Sequence, residues 1–197
     1  MPLINHAGRD RLSPLGLILL AVTSVGWGLN FPIMKHLLTE WPPLSSRGLS
    51  GIAGAAALAL FALARRQKLS VPRPMWLRLL LVSMLPLSLA GWQIGLGCLP
   101  IAIVGLAVEQ PQLAALSYVG WASLLYMTLI QFCLCYVCWF AALERLPAAT
   151  ASIGTLLVPV IGVLAAAAML REPLGLREIA ALVFTLGGVA VALRAYF

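Results

Sequence analysis

Three amide side chains, Asn30, Gln93 and Gln131, stand inside long apolar runs of this 197-residue sequence. An amide in hydrocarbon is costly unless it finds a hydrogen-bond partner, so each should face other helices or a polar solute and not lipid. Around them, Thr23, Trp27, Asn30 and Met34 recur at helical spacing in one run, and Trp121, Thr128, Gln131, Cys135 and Cys138 in another. Trp92 stands beside Gln93. The chemistry open to such a set is recognition of a small polar molecule, with Asn30, Gln93, Thr128 and Gln131 as hydrogen-bonding groups and Trp27 and Trp92 as apolar walls. For any one amide, a bond to a neighbouring helix, contributing about 0.6 kcal/mol, is the commoner role.

Chemistry on bonds finds little here. Asp10, Glu40, Glu109, Glu144, Glu172 and Glu178 all fall in connectors or at the ends of apolar runs, which leaves neither a pair of carboxylates near midplane nor a proton relay. His6 and His36 are the only histidines, and no nucleophile elbow is present. Cys133, Cys135 and Cys138 have a C-x-C-x-x-C spacing. On a helix, Cys133 and Cys135 are about 200° apart, so the three cannot converge on one ion. With Cys98 they read as small buried hydrophobes. No enzyme activity, cofactor or metal is expected.

The elements that must hold these residues are membrane helices. The sequence is 62% hydrophobic and 10% charged, with a mean hydropathy of +1.00. A soluble globule carries about 25% charged residues. An all-α, polytopic transmembrane helix bundle of about six spans is predicted, over 15–38, 47–64, 79–106, 118–142, 148–170 and 179–193. Ser13-Pro14 caps the first span, which continues past any signal-peptide cleavage site, and Pro32 should kink it. The third span is overlong, about 42 Å as a straight helix against a hydrocarbon core of about 30 Å. Pro86, Gly91, Gly95, Gly97 and Pro100 within it predict a kink or an end near Cys98. Gly51, Ala55 and Ala59 form a ridge of small residues on the second span, where another helix can approach closely. Lys35, near the outer end of the first span, is read as snorkelling to the interface.

A formal charge of +7 could suggest nucleic acid, but the basic residues lie between apolar runs and not in a patch with interleaved aromatics. They read as topology signals. The segment 65–78 carries five basic residues and no acid, which places it in the cytoplasm. Alternation then puts nine of the 13 Lys and Arg residues inside and Lys35, Arg47, Arg171 and Arg177 outside. Both termini are predicted to be cytoplasmic.

The block Trp139-Phe-Ala-Ala-Leu-Glu-Arg-Leu-Pro-Ala-Ala-Thr-Ala-Ser152, followed by Leu157-Val-Pro-Val160, Arg171-Glu-Pro173 and Leu186-Gly-Gly-Val189, resembles the closing segment of EamA-like proteins of the drug/metabolite transporter superfamily. Gly26-Trp-Gly-Leu-Asn-Phe31, followed by Lys35, is similar to that family's opening helix. The resemblance implies ten helices in two inverted five-helix repeats, with a substrate path between the halves. Here three spans resemble the first three helices and three resemble the last three. Leu99-Pro-Ile-Ala-Ile-Val-Gly-Leu-Ala-Val-Glu-Gln-Pro111 resembles the end of the seventh, which puts a join near Gly97 to Leu99. The segments are then 1–14, an N-terminal cytoplasmic stretch; 15–106, the N-terminal membrane helices; and 107–197, the C-terminal helices.

The expected function is that of a secondary transporter-like protein of the cell inner membrane, moving a small metabolite or amino acid, in the export direction. Without a buried carboxylate, exchange or facilitated export is favoured over proton-driven pumping. The expected partners are the lipid bilayer, a small-molecule substrate and a second copy docked on the Gly51/Ala55/Ala59 ridge, with no nucleic acid. The alternative is a non-transporting, shortened family member that acts as a membrane partner subunit or is an inactive remnant.

Overall fold

The computed structural model describes residues 12–67 and 87–196. Residues 1–11, most of the basic segment 65–78, and Pro86 lie outside the described part, and with them most of the orientation signals.

Six helices make up the described bundle, with no strand among these residues. Helix α1 is Pro14–Leu37, with Pro14 in its first turn and Ser13 accepting from the Gly16 amide at 3.3 Å, the cap that the sequence predicts. Pro32 lies buried inside it. Helix α2 is Pro43–Ala64 and begins a turn before residue 47, where it was expected. The cause is a cap supplied from elsewhere in the chain. Glu109 accepts from the amides of Leu44 and Ser45 at 2.9 and 2.7 Å and from the Ser45 hydroxyl at 2.7 Å, so the first turn can form on Pro43.

Helix α3, Leu87–Glu109, runs through Gly97, Cys98 and Leu99, so of the kink or end expected near Cys98 the end does not occur, and Pro100 lies inside the helix. Its 23 residues span about 34 Å, which a modest tilt fits to a bilayer. A carbonyl freed by proline in a membrane helix is served by neighbouring groups, so proline there need not end the helix. Helix α4 is Tyr118–Leu143, whose middle, Tyr126–Leu134, takes the wider π form. Helix α5 is Ala148–Leu170, interrupted by a turn at Leu156, where Pro159 offers no amide to the Thr155 carbonyl. Helix α6 is Leu176–Tyr196. Helices α1 to α5 are each long and apolar enough to cross a membrane. The 21 residues of α6 extend about 31 Å.

Helix α2 packs most extensively on α3, and α1 packs on α5 and α4. The α2–α3 contact is backbone on backbone: a Cβ at Gly48 would lie 2.5 Å from the Ala102 Cα. Further along, Gly51 faces Cys98, while Ala55 and Ala59 face Gly91. The small-residue ridge therefore packs on this chain's own α3, the close helix approach that its spacing predicts, while Ala55 and Ala59 also line an outer groove. The π stretch of α4 touches both α1 and α2. Among the described residues, α6 makes few contacts, nearly all of them with α5.

The described connectors lie at two ends. At one end Leu12, Leu20, Ala142 and Leu146 pack together. At the other, Glu40 accepts from the Ser117 amide at 2.9 Å and hydroxyl at 2.7 Å, and Trp41 donates to the Gln112 carbonyl at 3.2 Å. Lys35 belongs to this second end and pairs with Glu172, so it does more than snorkel.

Candidate functional site

Between α1, α2 and α4 the bundle is open. Two adjoining lobes, of about 680 and 650 Å³, share Trp27, Arg47, Ile101, Phe132 and Tyr136 as walls. That size suits a small ligand. Asn30, Met34 and Gln131 line the first lobe, and Gln93, Cys98 and Thr155 line the second.

Hydrogen bonds between α1 and α4 set the near wall. Thr23 donates to the Cys135 carbonyl at 3.3 Å, Trp27 Nε1 to the Gln131 carbonyl at 3.3 Å, and Tyr126 to the Gly26 carbonyl at 2.8 Å. The π stretch makes two of these fit. Its last turn ties the Cys135 amide to Ile130, five residues back, which loosens the regular ladder where Gln131 and Cys135 present their carbonyls to α1. Trp27 is held against Tyr136 and Trp139, with ring centroids 5.6 and 5.8 Å apart. A Cβ on Gly26 would overlap the Cys135 sulfur, so a glycine is needed for this approach.

Two polar atoms in this wall are left over. Asn30 and Gln131 are only 8% and 7% exposed, and their side-chain oxygens, Oδ1 and Oε1, are buried without a hydrogen-bond partner. A buried acceptor of this kind costs about 1–3 kcal/mol. Both residues line the first lobe.

Of the six residues expected to bind substrate, Trp27, Asn30 and Gln131 come together in the first lobe, with Gln93 in the second. Trp92 is 41% exposed and lies in an outer groove with Ala55, Ala59 and Gly95, away from Trp27. Thr128 lines neither lobe; its carbonyl faces Gly54 of α2. Trp121, placed by helical spacing on the same stripe, is 45% exposed on the outside. The π stretch rotates the second half of α4 relative to the first, and uniform helical spacing cannot carry a face across it.

Sequence reasoning missed Arg47, Phe132 and Tyr136. Arg47 was read as a topology charge at a helix end, yet it stands one turn before Gly51 on the same ridge and points into the cavity, its guanidinium 5.2 Å from the centre of the Phe132 ring. That ridge spacing was the available signal.

The profile of the EamA-like transporter family matches residues 14–89 and 81–194. The chain belongs to the EamA-like transporter family. It is accordingly an integral membrane protein of the drug/metabolite type, in a family of transporters and not of enzymes. The two EamA matches overlap at 81–89, upstream of Gly97 to Leu99, and the second takes in α3, α4, α5 and α6 as far as Arg194. This agrees with α3 being one unbroken helix. No curated protein and no solved structure matches the chain.

Proposed function

We propose that this EamA-like protein is a secondary transporter that moves a small polar metabolite or amino acid outward across the cell inner membrane, with both termini in the cytoplasm. The observation that carries the reading is the 680 Å³ cavity itself, lined by the amides Asn30 and Gln131 and the cation Arg47 within otherwise apolar helices. No carboxylate lines either lobe among the described residues, which supports exchange or facilitated movement over proton coupling through the cavity.

The test is counterflow: purified protein in liposomes preloaded with unlabelled metabolites, with uptake of the labelled solute followed. Accumulation that persists when the proton gradient is collapsed is the expected result. Absence of flux with every solute, from protein that melts cooperatively, would favour the second reading, a partner subunit.

A further inference from the structure

We propose that the cavity selects small organic carboxylates, and that Arg47 is the residue that binds the carboxylate. The inference rests on the transport reading only for its consequence; the binding chemistry stands on the cavity itself.

Arg47 is the one charged side chain among the described residues lining either lobe, and it lines both. It is half-buried, and no carboxylate lies within ion-pair distance of it among the described residues. The acids at this end of the bundle are engaged elsewhere. Glu109 caps α2, Glu40 holds Ser117 and Glu172 pairs with Lys35. A cation inside a membrane bundle is expected to meet an opposite charge, and here none is supplied by the described residues. The guanidinium instead rests over Phe132, which fixes its position through the ring's negative face and leaves its N–H fork to be used.

Asn30 and Gln131 line the first lobe with it, but their side-chain oxygens are buried away from the open space, so Arg47 is the charged group a solute there meets. One cation without a counter-charge matches a molecule with one carboxylate. A carboxylate meets the guanidinium fork through two parallel bonds. A phosphate dianion would want a second cation, and neither lobe has one among the described residues. The Trp27, Phe132 and Tyr136 rings leave the remaining wall apolar, for the side chain of the bound molecule.

The test uses the full chain in detergent and in liposomes. Leucine, phenylalanine, their α-hydroxy analogues, the four matching carboxamides and inorganic phosphate are compared by tryptophan fluorescence, by thermal melting and by counterflow. At least one carboxylate should bind ten-fold or more tightly than its carboxamide. Arg47→Gln should erase that preference, and Arg47→Lys, which keeps the charge but not the fork, should retain part of it; melting in the absence of ligand shows that each variant is folded. Equal binding of carboxylates and carboxamides, an undiminished preference in folded Arg47→Gln, phosphate binding as tight as carboxylate, or no binding of any probe would overturn the inference. Carboxylate-selective binding without flux would uphold it and remove the transport reading. Flux without carboxylate preference would do the reverse.

Discussion

Asn30 and Gln131 hold acceptors that the folded chain does not satisfy. Replacing either by leucine should leave stability unchanged or raise it, by about 1–3 kcal/mol for the relieved acceptor, while counterflow falls at least ten-fold. A loss of stability instead would mean that the amide bonds to a neighbouring helix. Glu40 makes a second residue-scale prediction. The Ser117 hydroxyl and then its amide hold the Glu40 carboxyl below the ordinary carboxylate range. A carboxyl lowered on folding adds stability above its unfolded pKa, and that stability is lost as pH falls through the folded value. Glu40→Gln should therefore melt lower than the native protein near neutrality and converge with it in acid; parallel melting curves at all pH values would contradict the assignment. The amides were legible in the sequence because a polar group in an apolar run must be accounted for. Trp92 was not, because composition places a tryptophan in a span but does not say which way the helix is turned. Arg47 was hidden by its nearness to a helix end, where a basic residue has an ordinary explanation.

Helix α2 depends for its start on a carboxylate from α3. Glu109→Ala should cost about 1–2 kcal/mol, the scale of a lost helix cap, and should speed hydrogen exchange at the Leu44 and Ser45 amides ahead of the rest of α2. Unchanged protection there would mean that Pro43 alone sets the start. At Gly48 the two backbones leave no room for a side chain, so Gly48→Leu should force α2 from α3, costing about 1–3 kcal/mol, and should also weaken ligand binding, because Arg47 is the preceding residue. Hydropathy found all six helices, since their apolar runs are long. It missed the start of α2, whose cap comes from a residue far along the chain. It also allowed α3 to end near Cys98, because Gly and Pro are helix breakers in water, whereas in hydrocarbon the backbone has no solvent to turn to. The π stretch of α4 has no composition of its own and could not be foreseen.

At the scale of the whole molecule, helices α1 to α5 of one chain line an open cavity. The family, the membrane location and the alternation of connectors were all legible from short motifs and apolar runs. Where the two family segments meet was not, because membrane helices resemble one another too closely to mark a seam. The closing α4–α5 hairpin packs on α1, and through it the C-terminal part of the chain completes the wall that α1 and α2 begin. The central claim is that this bundle, shortened against a ten-helix pattern, still transports. Counterflow in liposomes of the purified chain, with native protein beside Asn30→Leu and Gln131→Leu, addresses that claim most directly. Solute accumulation by native protein, lost in both variants while both remain folded, is the predicted result; no accumulation by well-folded native protein with any solute would contradict it.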